Sequence, residues 1–196
     1  MPMQVSAPTP SITPRHLPGD LAVWFFISAE LAVFGILFIG FGVARSLDPD
    51  TFAAGRQVLH PWTGLINTIG LITASYLAAT AVHRLRHCRP GVALLLWSAI
   101  GASSVYTFGK LWEYADLYGN GYNLGTDTFF MFYFFLTFFH FMHVVLGQII
   151  LVILAVKVKR GDYNGDDMNG MESGASYWHM VDLVWLVLFP MLYVLA

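Results

Sequence analysis

The sequence predicts an all-α integral membrane protein, a five-transmembrane-helix bundle with its N-terminus inside and its C-terminus outside. Three observations carry that expectation. Of 196 residues, 57% are hydrophobic and only 11% charged, with a mean hydropathy of +0.62, whereas a soluble domain uses about a quarter charged residues to cover its surface. Apolar stretches of about 20 residues, long enough to cross a hydrocarbon layer about 30 Å thick, recur along the chain. Basic side chains gather in alternate connections, which orients the spans. This composition excludes a soluble enzyme. The 10 Lys and Arg against 12 Asp and Glu, a net charge of -2, leave no basic footprint for nucleic acid. Cys88 stands alone, so neither a disulfide framework nor a Cys-rich metal cluster can form within the chain.

Residues 1–19 contain Pro2, Pro8, Pro10, Pro14 and Pro18 and lack a basic leader pattern, and are read as a disordered, uncleaved tail. Residues 20–196 form one membrane domain. Its spans are expected at Leu21 to Ala44, Trp62 to Val82, Val92 to Trp112, Thr128 to Val156 and Tyr177 to Ala196. Each must be helical, because hydrocarbon offers no hydrogen-bond partner to an open backbone. In the second span Gly70, Ala74 and Ala78 recur every fourth residue, a small-residue face that lets another helix approach closely. The stretch from Lys157 to Ser176, rich in Gly, Asn and Asp, reads as the longest loop. Arg84, Arg86 and Arg89 follow span two, and Lys157, Lys159 and Arg160 follow span four, so both connections belong inside.

Glu30 is the most informative single residue. Ten residues beyond Asp20, at about 1.5 Å each, it lies about 15 Å deep, near the midplane. An ionised carboxylate there costs at least about 2.5 kcal/mol unless shielded or paired. It reads either as a proton-linked or lipid-contacting carboxyl, or as a neutral group bonded between helices. His140 and His143 share a face of span four, and His179 and Asp182 share one of span five. With Glu30 and Glu113 these residue types suit a metal site in a bundle. Depth argues against one: measured from Lys157 and Tyr177, His143 stands about 21 Å above the inner interface and Asp182 about 8 Å, whereas ligands converge within about 2 Å of a metal. Structural hydrogen bonds are the better reading. Glu30 and His143 differ in depth by about 6 Å, so helices one and four are expected to meet through this pair or through His140.

The run Phe129, Phe130, Phe132, Tyr133, Phe134, Phe135, Phe138, Phe139 and Phe141 surrounds its helix and reads as packing and lipid contact. Trp62, Trp112 and Trp178 sit at expected span ends as interfacial anchors. Lys110 and Glu113, three residues apart at the outer end of span three, could pair across a helical turn, but read better as a solvated helix end. A phosphate loop, a nucleophile elbow, a hydrolytic triad and a haem-attachment Cys motif are absent, so no catalytic machinery is visible.

Five short motifs in order carry a resemblance. Trp24-Phe25-Phe26-Ile27-Ser28-Ala29-Glu30, Leu65-Ile66-Asn67-Thr68, Leu111-Trp112-Glu113-Tyr114, His140-Phe141-Met142-His143-Val144 and Tyr177-Trp178-His179-Met180-Val181-Asp182 resemble successive signatures of haem–copper oxidase subunit III. The resemblance implies a short five-helix form without a redox centre of its own, whose catalytic, metal and cofactor residues number none in this chain. Haem and non-haem iron or copper belong to the partner. The family's intramembrane polar network or lipid cleft maps onto Glu30, Asn67, Glu113, His140, His143, His179 and Asp182, with bound phospholipid as a further expectation. Within the family, Pro18-Gly19-Asp20-Leu21-Ala22-Val23-Trp24-Phe25-Phe26 and Leu59-His60-Pro61 are most similar to the NorE branch, accessory membrane proteins of bacterial nitric oxide reductase. Lys110 stands where the oxidase pattern often has Gln. The implied role is a noncatalytic accessory subunit in the bacterial cytoplasmic (inner) membrane, supporting assembly, stability or activation of a nitric oxide reductase, with the reductase's catalytic subunit and lipid as partners. Subunit III of a quinol or cytochrome c oxidase, partnered by oxidase subunit I, is the alternative. An independent proton channel or carrier using Glu30 is a reading of another class.

Overall fold

The computed structural model describes residues 20–163 and 168–195; the Pro-rich tail expected to be disordered lies outside them. Among these residues the structure is all helical, and five of its helices are long and apolar enough to cross a membrane. They are α1 (Leu21–Leu47), α3 (Pro61–Arg86), α4 (Val92–Gly119), α5 (Thr128–Arg160) and α6 (Asn169–Pro190), the last continued by a π-helical turn over Met191–Leu195. A short helix, α2 (Pro49–Val58), sits between the first two spans.

Local chemistry sets the boundaries. Asp20 caps α1 by accepting from the Ala22 N–H, Asp48 caps α2 from Thr51, and Asp127 caps α5 from Phe130. Pro49 and Pro61 occupy first-turn positions, where a missing N–H costs nothing. Gly161, at φ 80°, ends α5 in the left-handed conformation that glycine adopts without a Cβ penalty. Pro190 cannot donate within the helix, and the backbone widens into the π-helical turn just beyond it.

Helices α3, α4, α5 and α6 pack pairwise around one core, and α1 leans on α5 and α6. Small residues set the spacing. Gly70, Ala74 and Ala78 are buried, and a Cβ on Gly70 would stand 2.9 Å from the Ala102 carbonyl of α4. Between α5 and α6, a Cβ on Gly147 would meet the Trp178 ring at 2.8 Å, and one on Gly174 would meet Leu154 at 2.7 Å. At one end of the bundle Arg86 bonds Glu172 at 2.6 Å and the Asp20 N–H reaches Ser173, joining α1, α3 and α6. At the opposite end His60 contacts Asp116 at 3.1 Å, and Arg56 of α2 donates to the Val194 carbonyl at 2.7 Å.

Two expectations about boundaries are corrected. Helix α4 runs to Gly119 instead of stopping near Trp112, and α6 begins at Asn169, eight residues before Tyr177. The expected loop from Lys157 to Ser176 therefore shrinks to the few residues between Arg160 and Asn169. The polar first turns of α6 are helical because Met171 and Gly174 bury against the bundle, where packing outweighs composition. Trp178 is consequently buried against Gly147 rather than anchored at an interface. Trp62 and Trp112 do face outward, at 76% and 55% exposure.

Candidate functional site: paired charges inside the bundle

Two ionisable pairs lie within the spans, Lys110 with Glu113 along α4 and His143 of α5 with Glu30 of α1. Toward the end of the bundle that holds Asp116, Lys110 and Glu113 of α4 are fully buried, with Nζ 2.9 Å from Glu113 Oε2. Their expected position at a solvated helix end is overturned, because α4 continues past them and tyrosines from two other elements close over the pair. Lys110 Nζ also donates to the hydroxyls of Tyr133 on α5, at 3.0 Å, and Tyr193 in the π-helical turn, at 2.9 Å. The Tyr193 hydroxyl lies 2.8 and 2.7 Å from the two Glu113 oxygens. The ammonium is further flanked by the Tyr133 and Trp185 rings, 4.6 and 5.6 Å to their centroids, contacts that favour a desolvated cation. Three donor directions of the ammonium are thus used, and the two charges cancel.

Deeper in, His143 Nε2 lies 3.1 Å from Glu30 Oε2 and joins α5 to α1. Of the two expected routes between these helices, it is His143 that reaches Glu30. Its Nδ1 stands 2.8 Å from the Phe139 carbonyl, which can only accept, so Nδ1 carries a proton. Nε2 then either accepts a proton-mediated bond from a neutral Glu30 or donates to its carboxylate. Both arrangements hold one proton between the residues and leave the pair neutral, which suits a low-dielectric setting. Phe34 packs over this pair and the neighbouring histidine, its centroid 5.5 Å from the His143 ring and 6.3 Å from that of His140. Beside the pair, α1, α5 and α6 enclose an apolar groove of about 480 Å³ lined by Phe26, Ile150, Leu154 and Tyr177, with Lys157 at its edge.

His140 is fully buried between Trp185, stacked at 5.3 Å, and Tyr106, edge-on at 5.6 Å, and neither ring nitrogen has a hydrogen-bond partner among the described residues. Asn67 is buried on α3 with its side chain against Gly109 of α4. On α6, His179 Nδ1 lies 2.6 Å from Ser75 Oγ of α3, and Asp182 is buried one turn further along the same helix, its Oδ1 without a hydrogen-bond partner among the described residues. The expected depth gap between His143 and Asp182 is corrected: Gly147 meets Trp178 and Leu154 meets Gly174, which sets Asp182 level with His143 on the antiparallel neighbour. The earlier start of α6 accounts for the difference. The two residues are separated sideways instead, Asp182 facing α3 and His143 facing α1. Among the described residues no group of three or more His, Cys, Asp or Glu side chains converges on a point that could hold a metal.

Sequence reasoning missed the tyrosine enclosure, since Tyr133 and Tyr193 lie 23 and 83 residues from Lys110. It also missed the polar contacts of Gln148 with Ser103 and Thr107 at 3.1 and 2.9 Å, and of Trp185 with Thr68 at 2.8 Å. Polar residues in long apolar spans were the available signal.

Comparison with known proteins agrees with this architecture. The chain is 29% identical over 178 residues to cytochrome c oxidase subunit 3 of Thermostichus vulcanus, covering 90% of this chain and 87% of that protein. It is 27% identical over 183 residues to a probable quinol oxidase subunit 3 of Staphylococcus saprophyticus, covering 91% and 89%. A heme-copper oxidase subunit I+III of Aeropyrum pernix is 29% identical over 181 residues, 88% of this chain and 22% of that longer protein. A family model described as cytochrome c oxidase subunit III matches residues 19–196. The chain therefore belongs to the cytochrome c oxidase subunit III family.

Proposed function

We propose that this chain is a noncatalytic accessory subunit of a haem-containing membrane oxidoreductase, lying with its N-terminus on the cytoplasmic side of a bacterial inner membrane. The observation that carries this reading is the closed pairing of ionisable groups at two places inside the bundle. Lys110 with Glu113 and His143 with Glu30 are neutral, internally bonded couples, which suits a scaffold that keeps its shape in lipid. The end of the bundle formed by Arg86 and the last turn of α5, with Lys157, Lys159 and Arg160, faces the cytoplasm in this reading. The groove beside Glu30 takes a phospholipid chain, and the small-residue contacts hold the helices in register.

We assign the partner as the catalytic subunit of a nitric oxide reductase. The NorE-like opening around Trp24 and the Lys110 substitution support this choice. The similarity to a cytochrome c oxidase subunit 3 and to a probable quinol oxidase subunit 3 favours a second reading, the third subunit of a quinol or cytochrome c oxidase. Deleting the gene and assaying native membranes separates the two. Loss of nitric oxide consumption with oxygen consumption intact is expected; the reverse pattern assigns the oxidase, and unchanged rates of both contradict an accessory role.

A further inference from the structure

The seam between α3 and α6 presents polar chemistry that the bilayer cannot satisfy. His179 lies seven residues beyond Glu172, about 10 Å into the membrane at the helical rise, yet it is exposed on the outside of the bundle. The Ser75 hydroxyl of α3 lies beside it, 2.6 Å from His179 Nδ1. That contact occupies Nδ1, whereas Nε2 has no hydrogen-bond partner among the described residues. Exposed hydroxyls on α3 behave otherwise, since Thr73 and Thr80 each donate to a carbonyl of their own helix, at 2.7 and 2.8 Å. His179 makes no such bond to its own helix among the described residues. Hydrocarbon supplies no hydrogen-bond partner at this depth, and ionisable side chains in membranes normally face protein or a water-filled cavity. Next to His179 the two helices leave a groove of about 200 Å³ lined by Val82, the Arg86–Glu172 pair and the small side chains of Ala79, Ala175 and Ser176, which let another helix approach. The more apolar α1, by contrast, presents Phe25 and Ile36 and suits lipid.

We infer that the α3/α6 seam is where this chain seats the catalytic subunit, a polar side chain of one of that subunit's transmembrane helices bonding His179 Nε2. The inference rests on the accessory-subunit reading above. The kind of partner is supported by the Aeropyrum relative, whose name joins subunits I and III in one polypeptide.

Photocrosslinking in the native complex tests it. A benzophenone amino acid is placed at Tyr76 or Leu183, exposed residues flanking the seam, and at Ile36 and Phe108 as controls on α1 and α4. Capture of the haem-carrying subunit several-fold more efficiently from Tyr76 and Leu183 than from the controls is expected. Capture from Ile36 or Phe108 alone, or of a second copy or only lipid at the seam, overturns the inference while the accessory role stands. Absence of any haem protein from the purified unsubstituted complex instead removes the accessory reading itself. Since His179 is exposed, His179→Phe should leave the fold intact and lower recovery of the haem subunit several-fold, whereas His179→Gln, whose amide can donate or accept the same bond, restores it. Equal recovery with both variants overturns the proposed hydrogen bond.

Discussion

Lys110→Met isolates the energetics of the buried pair. The substitution keeps an unbranched apolar chain in the same space but removes the only cation bonded to Glu113 among the described residues. What remains to the carboxylate is the Tyr193 hydroxyl at 2.7–2.8 Å, one proton donor for a fully buried charge. Tyr133 loses its bond to Nζ at the same time. Breaking a buried ion pair by deleting one partner costs about 3–5 kcal/mol, whereas replacing both partners with uncharged groups of similar volume is often neutral or stabilising. For a chain of this size that loss lowers the unfolding midpoint by about 6–20 °C. Thermal unfolding followed by tryptophan fluorescence in detergent measures the shift, with Lys110→Met/Glu113→Gln as the companion variant. Most of the stability should return in the double variant. An unchanged midpoint for Lys110→Met, or a double variant no better than the single, would refute the assignment of these charges as a closed pair.

Three further outcomes follow from the same geometry. Gly70→Ala should destabilise by about 1–3 kcal/mol through contact with the Ala102 carbonyl, whereas Gly101→Ala, which meets nothing within 4 Å, should be neutral or slightly stabilising in the same unfolding assay. Glu30→Leu orphans His143 Nε2 at a cost of about 1–3 kcal/mol, while Glu30→Gln keeps a donor facing it and should lose less than about 1 kcal/mol; equal losses would deny the bond. Cys88, exposed and free just after α3, should react with a membrane-impermeant maleimide in inside-out vesicles and resist it in intact spheroplasts. The opposite labelling pattern reverses the assigned orientation.

The spans were legible because length and apolarity are properties of each segment alone, and the start of α5 at Thr128 follows from the Asp127 cap. The start of α6 was not. Asn169, Gly170 and Ser173 look like loop residues, and they are helical because Met171 and Gly174 find α5 as a neighbour. Helix α2 escaped notice as a ten-residue segment far too short to span, although Asp48-Pro49 is a start signal that marks it. Depth along the membrane normal placed Glu30 near His143 but misjudged Asp182, since one displaced helix start shifts every residue after it. Lys110 shows the limit most clearly. Spacing revealed its neighbour Glu113, but the tyrosines that bury the pair come from α5 and the chain's last turn and have no local signature.

Affinity purification of the tagged chain from native membranes, followed by haem spectroscopy and subunit quantification, tests the accessory role most directly. The account predicts a stoichiometric haem-carrying partner, with every haem retained on that partner after this chain is stripped away. A homogeneous chain free of any haem protein, or one that consumes nitric oxide or oxygen unaided, would contradict it.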